Sequence, residues 1–249
     1  MRTVLGMGVL ILAIATVSAA EGAEVRDLIK KLQSKDSDVR RDAAKSLSAL
    51  GSGAKLAVPA LRKALADSDL FVRRFSAEAL GSIGVAAKDA VPELTLAMRD
   101  SRKEMQLAAV DALTKVGPSA IHALISAVKD TSRDPAVRRK AAEGLGKIGK
   151  QARGAVRVFT DVLTGKIKTP KVGKKNKNKG NDEDIRVEVA TALGKVAKPE
   201  DKQAVEALKG LTEGKKAKRN RALKQAATNA IREIKGEPPI KGKKRKKKD

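Results

Sequence analysis

The chain has 249 residues and a formal net charge of +25, with hydrophobic residues at 41%, aromatic residues at 1%, and no Trp, Tyr or Cys. The lack of Cys excludes disulfides, thiol catalysis and Cys-linked lipid, and the scarcity of rings argues against the bulky interior of an ordinary globular enzyme. Ala, Leu, Val and Ile alone suit thin layers of closely packed helices.

The N-terminal segment from Met1 to Ala20 reads as a secretory signal peptide: Arg2, an apolar run from Val4 to Val17, then Ser18, Ala19 and Ala20. Cleavage is expected after Ala19 or Ala20, giving an exported protein, periplasmic or secreted. An uncleaved anchor is the alternative, but the run is short for a span of about 20 residues. No later segment is apolar enough to cross a bilayer.

A repeat follows. Asp36, Val39-Arg40, Ala43-Ala44, Leu47 and Gly51 recur as Asp69, Val72-Arg73, Leu80 and Gly84. A third copy runs through Met105-Gln106, Ala109, Leu113 and Gly117, and a fourth through Asp134, Val137-Arg138, Ala141-Ala142, Leu145 and Gly149. The four glycines are 33, 33 and 32 residues apart. A fifth copy (Ile185-Arg186, Ala190, Leu193, Ala197) comes late, and taking out the Lys-rich stretch from Lys166 to Asn181 restores the regular spacing between Gly149 and Ala197. That stretch is therefore read as an insertion inside a repeat. A degenerate sixth copy runs through Ala222, Ala226, Ala227, Ala230 and Ile234.

Val39, Ala43, Leu47 and Leu50 form one apolar stripe on a helix closed by Gly51. Pro59 in AVPAL and Pro92 in AVPEL open a partner helix, where a missing N–H costs nothing. Such pairs, with helices of about 10–13 residues, cannot hide their apolar stripes alone and must stack on neighbours. The sequence therefore predicts an all-α chain: an α-solenoid of about six stacked antiparallel helix pairs.

The D-x-x-V-R-x-x-A-A-x-x-L-G-x-I-G and A-V-P-A-L patterns resemble the short HEAT repeats of the phycobilisome lyase-type family, over about residues 25–235. The tetratricopeptide and ankyrin signatures are absent. The resemblance implies a HEAT-like superhelix with the Val-Arg helices on its inner, concave surface. The expected domains are a signal peptide (1–20), repeats one to four with the first helix of the fifth (24–165), and a disordered Lys-rich insertion (166–183). The rest of repeat five and the sixth (184–236) and a disordered basic tail (237–249) complete the chain.

Acid and Arg recur four residues apart, as Asp36/Arg40, Asp69/Arg73, Asp134/Arg138 and Asp182/Arg186, with Arg102/Gln106 the exception. The spacing puts both on one helix face, and the reading is structural: in similar HEAT proteins such pairs tie neighbouring repeats. His122, the only histidine, replaces the Pro of the AVPAL pattern and offers no metal cluster or nucleophile pair. Iron-binding HEAT-type hydroxylases carry repeated His-Glu pairs, which are absent here. No catalytic residue, metal ligand or cofactor site is expected, and the chain is read as non-enzymatic.

Phe159 sits at the Leu61 position and belongs to the core. Phe71 and Phe75 occupy columns held elsewhere by Asp38, Glu104 and Ala136, and by Asp42, Ala108 and Lys140. One reading folds the two rings over a neighbouring repeat's small residues; the other makes them, with Arg74, an apolar landing point for a partner protein on the concave surface.

The excess charge is uneven: residues 21–165 carry net +8 and residues 166–249 net +16. It is concentrated at Lys174, Lys175, Lys177 and Lys179 of the insertion and at Lys243, Lys244, Arg245, Lys246, Lys247 and Lys248 of the tail. Such runs attract polyanions by counterion release without reading sequence, and no aromatic platform accompanies them. Export turns the expectation from nucleic acid towards acidic polymers or an anionic membrane surface, against a merely solubilising tail. The function predicted is an exported, non-catalytic protein-interaction scaffold with weak polyanion attraction; the alternatives are a nucleic-acid-binding solenoid and, more remotely, a lyase-type enzyme.

Overall fold

Three long helices of the repeat start on an acidic side chain that caps them. Asp36 accepts the Asp38 amide at 2.8 Å, Asp69 the Val72 amide at 2.9 Å and Asp134 the Ala136 amide at 2.7 Å, satisfying donors that the first helical turn leaves free. Gly51, Gly84 and Gly149 end the same helices with φ of 54°, 72° and 73°, a region that no non-glycine residue enters among the described residues.

The computed structural model describes residues 22–168, 185–213 and 220–240, and among these there is no strand. Two units are present, one ending at Val116 and the other beginning at Gly117. The first holds α1 (22–31), α2 (Ser37–Leu50), α3 (Val58–Ala64), α4 (Leu70–Ile83), α5 (Val91–Ala97) and α6 (Lys103–Val116). The second holds α7 (Ile121–Lys129), α8 (Pro135–Ile148), α9 (Val156–Leu163), α10 (Ile185–Val196), α11 (Lys202–Thr212) and α12 (Arg221–Ile234).

In the first unit α3 packs on α4 and α5 on α6, while the long helices stack as α2 on α4 on α6. In the second, α7 packs on α8, α9 on α10 and α11 on α12, with α8, α10 and α12 stacked in turn. The α-solenoid of stacked helix pairs is therefore the fold. The two helices of a pair are less equal than expected: α2, α4, α6, α8 and α12 have 14 residues, whereas α3 and α5 have only 7. Each of these short helices is preceded by seven residues of 3₁₀ helix, Gly51–Ala57 and Gly84–Ala90. Pro59 and Pro92 have no N–H to give to a carbonyl four residues back, which suits this break in the α ladder, but the same seven residues of 3₁₀ helix, Gly149–Ala155, precede α9 without a Pro.

The core is built as expected from small and branched side chains, with Leu47, Leu61, Leu80, Leu94, Leu113, Leu124 and Leu145 fully enclosed and Phe159 the one buried ring among the described residues. One member of the first apolar stripe departs from the pattern: Val39 is 36% exposed, whereas its equivalents Val72 and Val137 are 0% exposed. Val39 lies on the outermost long helix of its stack, which has a long neighbour on one side only.

The Lys-rich insertion reaches into the described residues only at Lys166–Lys168; the rest of it, the expected signal segment (1–20) and the tail from residue 241 lie outside them.

Candidate partner-binding surface

The arginines of the long helices separate into two columns with different roles. In the first column Arg40 donates from Nε to Asp67 Oδ2 at 2.8 Å and from Nη2 to Asp67 Oδ1 at 2.9 Å, while its Nη1 reaches the carbonyls of Ser34 and Lys35. Arg73 repeats this one repeat later, Nε to Asp100 Oδ2 at 2.9 Å and Nη1 to the carbonyls of Asp67 and Ser68. Gln106 keeps only the backbone part, donating to the Asp100 carbonyl at 2.6 Å. Neighbouring repeats are tied, but Arg40 and Arg73 do not use the acid four residues before them: Asp36 and Asp69 cap their own helices, and each of these arginines reaches the acid of the following loop instead. Asp182 lies outside the described residues.

The second column builds the surface. Arg41, on α2, donates from Nε to Asp69 Oδ1 at 2.8 Å, from Nη2 to Asp69 Oδ2, and from Nη1 to Asp38 at 2.6 Å. The Arg41 hydrogen bond and the amides of Val72 and Phe71 hold the Asp69 carboxyl far below the ordinary range against the opposing effect of burial. Arg74 occupies the same place one repeat later, but the position corresponding to Asp69 holds Arg102, which cannot accept a hydrogen bond. Without that acceptor its guanidinium lies over the rings, 5.5 Å from the Phe71 centroid and 4.8 Å from the Phe75 centroid, with its Nε 3.5 Å from Glu78.

Phe71 and Phe75, one helical turn apart on α4, have centroids 6.4 Å apart at an interplanar angle of 31°. Arg41 covers Phe71 from α2 at 5.3 Å, so the cluster spans two helices. Phe71 remains 45% exposed and Phe75 is half-buried. The structure places Phe71, Arg74 and Phe75 beside one another and adds Arg41. The sequence did hold the signal for Arg41, since it shares a column with Arg74 and has an acid, Asp69, at the matching register of the next repeat.

The remaining predicted positions fall apart from this cluster. His122 is exposed on α7. Lys174, Lys175, Lys177, Lys179, Lys243, Lys244, Arg245, Lys246, Lys247 and Lys248 all lie outside the described residues. A groove of about 950 Å³ between α9 and α11, unforeseen from the sequence, is lined by charges of both signs, including Arg157, Lys166 and Lys202 as well as Glu200. Arg153 crosses it to Asp201 with contacts of 3.0 and 3.1 Å, so much of its charge is already matched. Among the described residues no group of three His, Asp or Glu could hold a metal ion, and no helix is long and apolar enough to cross a membrane.

Stacked helix pairs, capped by acid and closed by glycine, define a helical-repeat protein. The HEAT repeats family matches residues 25–103 and 91–166, more than half of the chain, and the chain belongs to it. No curated protein matches the chain. Among solved structures it is similar to an engineered protein at 23% identity and a TM-score of 0.52, covering 85% of this chain and 96% of that one. It is also similar to computationally designed armadillo repeat proteins for modular peptide recognition, at 17% identity and a TM-score of 0.51, covering 84% of this chain and 98% of that one. The complex of CpcE and CpcF of phycocyanin lyase from Nostoc sp. PCC7120 shows 22% identity over 83% of this chain and 93% of that one, at a TM-score of 0.40.

Proposed function

We propose that this HEAT-repeat chain is an exported, non-catalytic scaffold that holds a partner protein on the long-helix face of its first unit. The observation that carries the reading is the Phe71–Phe75 pair flanked by Arg41 and Arg74. An exposed ring costs nothing to the fold when it is left out of the core, yet two rings side by side under guanidinium groups offer both apolar area and hydrogen-bond donors. A peptide presenting an apolar side chain beside a carboxylate matches that combination. The designed armadillo proteins named above are built for peptide recognition on stacked helices of the same kind, which supports the class of role.

The Lys-rich insertion and tail add weak, salt-sensitive attraction to acidic polymers or an anionic membrane surface in this reading. The signal-like segment from Met1 to Ala20 supplies the argument for export.

A pull-down from the exported fraction, comparing wild type with Phe71→Ser/Phe75→Ser, tests the partner surface. Loss of one or more specific partners is expected, and an unchanged set dismisses the surface. Retention on heparin and on duplex DNA against salt, with and without residues Lys241 to Asp249, tests the basic segments. Equal retention of the intact protein on both matrices at low salt, falling together as salt rises, is expected of charge attraction alone; selective retention on DNA would favour a nucleic-acid-binding solenoid.

A further inference from the structure

The Arg40 and Arg73 ladder, already interrupted at Gln106, does not resume in the second unit. Arg138 follows Val137 as Arg40 follows Val39 and Arg73 follows Val72, so it stands in the same column. It is 0% exposed, the only Lys or Arg among the described residues in the buried class. Its Nε donates to the Val128 carbonyl at 3.0 Å, and neither Nη1 nor Nη2 has a hydrogen-bond partner.

Arg40 and Arg73 each find their carboxylate in the loop before the next long helix, at Asp67 and Asp100. At the same register from Arg138 stands Gly165, which has no side chain. A Cβ placed on Gly165 would meet nothing within 4 Å, so the position is open where earlier repeats are filled by an acid. The neighbouring Asp130 does not replace it: its Oδ1 accepts from the Ser132 amide and hydroxyl, and its Oδ2 lies 3.2 Å from Arg133. Burial pushes the Arg138 guanidinium below its ordinary pKa, with Asp130 acting the other way.

Enclosing a cation while leaving two of its nitrogens unpaired is costly, and a planar carboxylate fits the free Nη1/Nη2 edge with two parallel hydrogen bonds. We propose that Arg138 anchors a carboxylate-binding site in the second unit, in which the carboxylate of a bound peptide enters beside Gly165 and takes the place of the repeat's missing acid. This site is independent of the Phe71–Phe75 surface.

The test is thermal unfolding of the full chain at pH 7 in sodium acetate, sodium phosphate and sodium chloride of equal ionic strength. Three proteins are compared: wild type, Arg138→Met, and Gly165→Asp, which restores the acid at a left-handed position (φ 81°) that Asp enters at some cost in strain, so each protein is compared with itself across the three salts. Acetate at about ten times its Kd is expected to raise the wild-type Tm by about 3 °C over chloride, and to raise neither variant. The lysine segments are the same in all three proteins, so an equal rise in wild type and Arg138→Met overturns the proposal. No rise in the wild type also overturns it, because the chain then closes the fork itself. An Arg138-dependent rise larger in phosphate than in acetate overturns the assignment to a carboxylate. If Arg138→Met loses its helical circular dichroism, Gly165→Asp decides alone: an acetate rise that persists in it overturns the site.

Discussion

Arg40 on α2 grips Asp67, in the loop before α4, through two hydrogen bonds of 2.8 and 2.9 Å, and both side chains are only 13% exposed. Burial alone would raise the Asp67 carboxyl, but the Arg40 and Asp69-amide hydrogen bonds and the Arg40 charge outweigh it and hold the pKa below the ordinary value. Asp69 and Glu93 are lowered in the same sense, by Arg41 and Arg62 respectively. A carboxyl with a depressed folded pKa contributes stability that is present above its unfolded value, about 4, and is lost as pH falls through the folded value. Denaturant unfolding should therefore show the contribution of these pairs intact above about pH 5 and falling below about pH 4. Asp67→Asn and Asp69→Asn should each lower stability at pH 7 and flatten the acid limb, and a limb of unchanged steepness would contradict the pairing.

Glu188 carries the opposite sign. Burial on α10, reinforced by Glu143, raises its pKa against the opposing charges of Lys195, Arg139 and Lys147. A raised carboxyl contributes stability below its unfolded pKa of about 4.3 that is lost as pH rises through the folded value. Glu188→Gln, which removes the half-buried charge, should raise the Tm at pH 7 and leave it nearly unchanged at pH 3. A lower Tm at pH 7 would show that Glu188 is held ionised by its basic neighbours.

The stacked long helices approach closely at glycines. A Cβ on Gly194 of α10 would lie 2.7 Å from Ala230 Cα on α12, one on Gly81 would lie 2.9 Å from Ala112 Cα, and one on Gly146 would lie 3.1 Å from Ala192 Cα. Ala gains about 1 kcal/mol over Gly in a helix interior, whereas overfilling a packed contact costs about 1–3 kcal/mol. Gly194→Ala should therefore destabilise by about 1 kcal/mol or more, Gly81→Ala by less, and Gly146→Ala by least. Gly210 of α11 meets nothing within 4 Å, so Gly210→Ala should stabilise by about 0.5–1 kcal/mol. Urea midpoints for the four variants check this order.

The repeat was legible because glycine spacing and the Val-Arg stripe are local properties of the chain, and the Phe71–Phe75 pair was legible because two rings stand in polar columns. The partners of Arg40 and Arg73 were not. An acid one turn back and another in the following loop are equally visible in a sequence, and the choice depends on geometry: Asp36 caps its helix, and Asp69 caps its helix while pairing with Arg41 rather than Arg73. Val39 looked like core because periodicity does not reveal which repeat lacks an outer neighbour. Arg138 looked like one more rung, and only its burial with Nη1 and Nη2 unpaired shows that the rung has no acid.

The same register argument yields a variant that separates the arginine from the rings. Arg41 is drawn to α4 by Asp69, while Arg74, whose corresponding position in the next repeat holds Arg102, lies over Phe71 and Phe75. Arg102→Asp supplies the acceptor that the third repeat lacks, and should draw Arg74 towards α6 and uncover Phe75. The new pair is partly exposed, so the gain in stability should not exceed about 1 kcal/mol, and it should fade in high salt. Arg102→Ala removes the cation without adding an acceptor and should leave Arg74 on the rings. If the rings and the guanidinium act together on a partner, Arg102→Asp weakens capture while Arg102→Ala does not; equal capture by both would leave the rings as the sole contact.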